Sequence, residues 1–195
     1  MAAQGANQAT ASLNEDMEAL VLDDLGSGTR QGLTAVWGNG LAEVASVCLD
    51  RAGHTTGAIL HVQGDSQSKY QLVFGSVTQQ MRDTHGDHQD ATELGAYGIA
   101  CLLVERMEGV TAIGRSCKGT GFDYWLGQSG KAGDLFQASS RLEVSGIAKE
   151  SGSNTLNARV KEKLIQTEQS DDTHLPAVVV VILFEHPRAH KETRL

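Results

Sequence analysis

Apolar residues recur along this chain first at helical spacing, then at strand spacing, and the change of period marks its organisation. Met17, Leu20, Val21 and Leu25 in LNEDMEALVLDDLG follow a helical period, with Asn14 as a suitable N-cap and Gly26 and Gly28 as stops. A second helix is predicted through GLAEVASVCLDRAGH, where Leu41, Val44, Ala45, Cys48 and Leu49 share one face and Gly53 ends the pattern. Beyond Gly53 the period becomes two: GAILHVQG and SKYQLVFG alternate about Asp65-Ser66-Gln67 and predict a β-hairpin. Thr78 to Asp90 is polar and reads as a loop containing Asp83, His85, Asp87 and His88.

The second half opens with ATELGAYGIACLLVERMEG, apolar enough to form a helix buried on most sides. AIGRS and GFDYWLG read as strands about a KGTG turn, and SSRLEVSGI as a third strand. SNTLNARVKEKLIQTEQSDD begins at a cap and carries Leu156, Val160 and Leu164 at helical spacing, with Arg159, Lys161 and Lys163 beside them. PAVVVVILF needs cover on both faces and reads as a central strand, and the polar EHPRAHKETRL that follows is broken by Pro187. A meander that ends in a helical crossover predicts an α/β fold, a mixed central β-sheet flanked by helices. Residues 1–12 are small and polar and read as a disordered tail, with residues 13–195 as a single α/β domain divided into 13–90 and 91–186.

Composition and charge narrow the classes of function. The chain has 195 residues, 22 Gly and 2 Pro, which suits one core with many tight turns. Cys48, Cys101 and Cys117 are an odd number without close spacing, which argues against a disulfide framework or a zinc knuckle. The N-terminus lacks the basic and apolar regions of a secretion signal, and the apolar run Leu175 to Phe184 is about half a membrane span, so a cytoplasmic location is expected, with no membrane partner. The net charge of −8 argues against a protein that coats nucleic acid. Residues 1–95 hold 12 acids and 4 bases, however, whereas residues 96–195 hold 12 of each. Nine bases, Lys131 among them, face six acids between Arg106 and Lys163.

Two acids in that basic half stand out. Asp123 in GFDYWLG and Glu143 in SRLEVSG are set among Phe, Tyr, Trp, Leu and Val, where an unpaired charge costs several kcal/mol or shifts its pKa. A metal or an ion pair relieves that cost, and two carboxylates on adjacent strands can hold a hard cation such as Mg²⁺ while leaving positions for water and phosphate. Each acid also has a structural reading: Asp123 as a cap of the Gly119–Gly121 turn or a partner of Arg115, and Glu143 as a partner of Arg141 or of a lysine across the sheet.

KGTGFDYWLG followed by SRLEVSG, a polar helix and AVVVVILF resembles the core of the restriction-endonuclease-like superfamily, known by its PD-(D/E)XK signature, over about residues 90–186. The resemblance implies a restriction-endonuclease-like core in which Asp123 and Glu143 share a divalent metal, expected to be Mg²⁺, with Glu93 as the acid of the preceding helix. In that family a lysine two residues after the second acid helps to activate water, but Ser145 stands there and carries no charge. Lys149, or Lys161 and Lys163 on the next helix, are the candidates to replace it, as such lysines migrate within the family. The site expected from the resemblance is thus Glu93, Asp123, Glu143, Lys149 and Lys163, with Lys118, Tyr124 and Lys161 to contact nucleic acid. Lys118-Gly119-Thr120-Gly121 lacks P-loop spacing and reads as a β-turn able to present Lys118 to a phosphate. One of Tyr124 and Trp125 is expected in the core, the other free to stack.

Two functions follow. The first is a metal-dependent nuclease or nuclease-like nucleic-acid-processing subunit, a magnesium-dependent phosphodiesterase of prokaryotic type. The alternative, motivated by Ser145 and by the acidic first half, is a non-catalytic assembly or adaptor subunit of a multi-protein complex, such as one acting in anti-phage defence, with a protein partner or second copy of the chain. His85-Gly86-Asp87-His88 has metal-ligand residue types in a hydrophilic loop without a third strong ligand nearby, and no G-x-S-x-G elbow marks a serine hydrolase.

Overall fold

Seven consecutive apolar residues, all buried, make Ala177–Leu183 (β7) the spine of the protein. The computed structural model describes residues 17–128 and 138–195; the expected tail, the Asn14 cap and Lys131 lie outside the described residues. Alternate side chains of β7 serve two cores. Val178, Val180 and Ile182 face the helices Ala35–Arg51 (α1) and His88–Glu108 (α3), whereas Val179, Val181 and Leu183 face Leu156–Gln166 (α4). Each such side chain contributes about 1.5–3 kcal/mol by leaving water.

Around β7 the strands Ala19–Val21 (β1), Ala58–Gly64 (β2), Ser68–Val73 (β3), Thr111–Arg115 (β4), Tyr124–Gly127 (β5), Ala138–Ile147 (β6) and Arg188–Arg194 (β8) form one sheet in the order β1-β3-β2-β8-β7-β6-β5-β4. The meander β4-β5-β6 is antiparallel, and α4 carries the chain over to β7, parallel to β6. This is the mixed α/β sheet expected from the pattern. Among the described residues, no helix is long and apolar enough to cross a membrane.

Three expectations are corrected. The segment 19–27 is a short strand and a 3₁₀ turn, not an α-helix: β1 pairs with the edge of β3, and Leu22 and Leu25 then turn into the core. The polar stretch 78–90 holds a short helix, Gln79–Thr84 (α2), and the start of α3, capped by Thr78 and by Asp87. Those caps are the positions where short polar side chains satisfy free helix N–H groups.

The C-terminal segment is a full strand. It pairs with β7 on one side and with β2 on the other, and so joins the N-terminal hairpin to the rest of the sheet. Its inward Lys191 obscures the strand pattern; the ammonium is buried between Asp65 at 2.8 Å and Glu108 at 2.6 Å.

Candidate active site

β5 and β6 pair with Tyr124 opposite Leu142, which sets Asp123 across from Glu143 at the end of β5. The Asp123 N–H donates to Leu142 O at 2.8 Å. Its carboxylate then takes the next free backbone donor, with Oδ2 accepting from the Val144 N–H at 2.8 Å. Oδ1 accepts from the Tyr97 hydroxyl on α3 at 3.1 Å. Asp123 is therefore fixed by a strand on one side and a helix on the other.

Two glycines permit this assembly. Gly121 has φ +79°, and a Cβ there would overlap Gln166 O, so only glycine lets the turn before Asp123 press against the end of α4. A Cβ on Gly146 would overlap Thr92 O, so that glycine lets the first turns of α3 lie on β6.

On the α4 face of β6, Arg141, Glu143 and Ser145 form a buried polar row; α4 answers Glu143 and Ser145, and the segment after it answers Arg141. Glu143 is 2% exposed, and its Oε1 accepts from Lys163 Nζ at 2.7 Å and from Gln166 Nε2 at 2.9 Å. Lys163 Nζ also donates to Gln166 Oε1 at 2.8 Å. Ser145 Oγ accepts from Arg159 Nη1 at 3.1 Å, and Arg159 Nη2 donates to Asn154 Oδ1 at 2.8 Å. Arg141 reaches the carbonyls of Leu175 and Thr167 and the Ser170 hydroxyl.

The second oxygen of Glu143 is different. Oε2 is buried and, among the described residues, has no hydrogen-bond partner. The Asp123 and Glu143 carboxyls are close enough to hydrogen-bond when one of them is protonated; with both ionised, neither can donate. Burial first, and then the charge of Asp123, push the Glu143 carboxyl up to about 8 against the opposing pull of Lys163. Burial also raises Asp123, countered by the Val144 N–H, the Tyr97 hydroxyl and the Lys163 charge. The Tyr97 hydroxyl is held well above its ordinary range by burial and by Asp123. Two desolvated acids beside one ammonium lack a positive charge, which a proton or a cation at Oε2 supplies.

The expected residues divide clearly. Asp123, Glu143 and Lys163 meet. Glu93 lies on the exposed side of α3, one turn before Tyr97, and its charge adds to the rise of that hydroxyl. Lys149 is not there: it is 74% exposed and pairs with Glu185 at 2.7 Å beyond the far end of β6. Lys118, in the turn before β5, and Lys161, on the outer side of α4, are exposed. The base-stacking expectation for Tyr124 is corrected, because its ring is fully buried and its hydroxyl accepts from Trp37 Nε1 at 3.4 Å.

The structural alternatives are decided too. Thr120 and Ser116 close the turn without the Asp123 side chain, Arg115 lies over Trp37, and Glu143 pairs with Lys163 rather than Arg141. His85 pairs with Glu43 at 3.0 Å, and Asp87 caps α3.

Tyr97, Gln166 and Arg159 belong to the arrangement although sequence reasoning does not single them out. Their one sequence signal is spacing: Tyr97 stands four residues after Glu93, and Arg159 and Gln166 flank Lys163 at four and three. Among the described residues no group of three or more His, Cys, Asp or Glu side chains is arranged to hold a metal ion. The pair alone still matches Mg²⁺, which commonly uses one or two carboxylates and keeps several waters. Comparison with models of known protein families, with curated proteins and with solved structures finds no match.

Proposed function

We propose that this chain is a metal-dependent nuclease with a restriction-endonuclease-like core, in which Asp123 and Glu143 are the acids and Lys163 supplies the charge that Ser145 lacks. The run α3-β4-β5-β6-α4-β7, with one acid entering β5 and the other within β6, supports the core assignment. The observation that carries the function is Glu143: one oxygen lies on an ammonium, and the other is buried, without a donor among the described residues, beside a second acid. That oxygen and the neighbouring Asp123 carboxylate are donors of the kind a hard cation takes.

Asp123 and Glu143 would hold Mg²⁺, which supplies polarisation of a phosphoryl group and a lowered pKa for bound water. The chain's own residues do the rest. Tyr97 and the Val144 N–H hold the Asp123 carboxylate in one orientation. Lys163 and Gln166 lock one Glu143 oxygen, which leaves the other to bind. The Lys163 ammonium also adds fixed positive charge where charge develops on phosphate. Exposed Lys118 and Lys161 are available to the phosphate backbone.

Ser145 favours the second reading, a non-catalytic subunit, since it is buried and holds Arg159 rather than adding charge of its own. One assay separates the two. Purified protein with Mg²⁺ or Mn²⁺ should cut a single- or double-stranded DNA or RNA, and Asp123→Asn, Glu143→Gln and Lys163→Met should each lose on the order of 100-fold or more. Equal cutting by parent and variants sinks the nuclease. An inert parent that isolates with a partner chain favours the subunit.

A further inference from the structure

We propose that Trp37 and Arg115 form a subsite for one unpaired nucleobase and its phosphate at the end of the sheet that carries Asp123. The choice of ligand rests on the nuclease reading; the platform itself rests on geometry. Arg115 ends β4 directly opposite Tyr124, and the next residue, Ser116, donates its N–H to Asp123 O at 2.7 Å. The guanidinium thus leaves the chain at the end of the sheet that carries Asp123.

Trp37 approaches the same place from the first turn of α1. Its Nε1 donates to the Tyr124 hydroxyl at 3.4 Å, and the Tyr124 ring meets Tyr97 edge to face at 6.1 Å. Tyr97 in turn holds Asp123, so two packed rings connect the indole to the acid.

Two features here stand open to solvent. Arg115 is exposed, and among the described residues it makes no ion pair or hydrogen bond; its guanidinium lies 5.8 Å from the Trp37 ring centroid, near the outer limit of cation–π contact. Val36, beside Trp37, is 84% exposed although apolar. Between them Gly32, Thr34, Trp37, Arg115 and Tyr124 line a cleft of about 290 Å³.

An aromatic face beside a cation that meets no counter-ion among the described residues matches the two halves of a nucleotide, an apolar ring and an anion. A base laid against the indole leaves the guanidinium to turn onto that nucleotide's own phosphate. Bases within a duplex already stack on one another, so the platform selects single-stranded nucleic acid.

Fluorescence titration tests this. In the full chain carrying Trp125→Phe and Glu143→Gln, Trp37 is the sole tryptophan and the probe strands stay uncut. Short mixed-sequence single strands of DNA and RNA should quench it and bind about tenfold more tightly than duplexes of the same sequence. Arg115→Gln and Trp37→Leu, the latter followed by strand-binding anisotropy, should each weaken single-strand binding about tenfold. If Trp37→Leu fails to fold by circular dichroism, the exposed Arg115 position decides the matter alone.

Equal binding of single strand and duplex, or an Arg115→Gln variant that binds as tightly as its parent, overturns the subsite. Cutting that depends on Glu143 without quenching of Trp37 overturns the subsite and leaves the nuclease standing. Quenching by single strands with no cutting under any metal overturns the nuclease and leaves the subsite. Absence of both overturns both.

Discussion

The Lys163 ammonium lies 2.7 Å from one oxygen of Glu143 while the other oxygen, also buried, meets no donor among the described residues. This half-satisfied carboxyl, with Asp123 beside it, has measurable consequences.

Removing the ammonium should cost more than removing the acid. Above about pH 8, where the Glu143 carboxyl is ionised, Lys163→Met leaves it uncompensated in a buried position, with an expected loss of about 3–5 kcal/mol. Glu143→Gln keeps the shape without the charge and should cost far less. The double variant should recover most of the stability lost by Lys163→Met. Urea denaturation of the three proteins checks this.

Stability should fall as pH rises. The Glu143 carboxyl is raised from its ordinary 4.5 to about 8, so the folded state holds a proton there that the unfolded chain has already released. The stabilisation is complete below about pH 4.5 and drains away up to about pH 8, since the folded state binds more protons across that window. Asp123, also raised, adds to the slope. Thermal unfolding between pH 5 and pH 9 should show the slope, and Glu143→Gln should flatten it.

A cation that replaces this proton should do so best when the proton is already leaving. Added Mg²⁺ should raise the melting temperature more at pH 8.5 than at pH 6, and Asp123→Asn should abolish the rise. An equal rise in the Asp123→Asn protein would place the ion elsewhere.

Loss of the Tyr97 hydroxyl leaves Asp123 with its Val144 N–H alone. Tyr97→Phe should cost about 1–3 kcal/mol and lower cutting without altering the circular dichroism spectrum.

Lys149 and Lys163 should separate sharply. Lys149→Ala, at an exposed ion pair, should change stability by about 0–1 kcal/mol and leave cutting unaltered, whereas Lys163→Ala should abolish it. Side-by-side cleavage rates decide between them.

The run from α3 to β7 and the hairpin β2-β3 were legible in the sequence because helical and strand periods are local: each follows from which side chains one element must bury. So was the anomaly of Asp123 and Glu143, two acids in apolar strands. β1, α2 and β8 were not legible. β1 and β8 are short or charged and take strand form only by completing a partner's backbone hydrogen bonds, and the inward Lys191 is tolerated only between Asp65 and Glu108.

Sequence alone marked two acids in apolar strands that a metal or an ion pair would relieve, and showed that the adjacent Ser145 carries no charge. Only the tertiary structure chose Lys163 over Lys149. Lys149 follows the strand out into solvent, whereas the crossover lays α4 back over β6 and brings a lysine from twenty residues away within 2.7 Å of Glu143. Charge pairing acts over ångströms in space, and distance along the chain does not encode it.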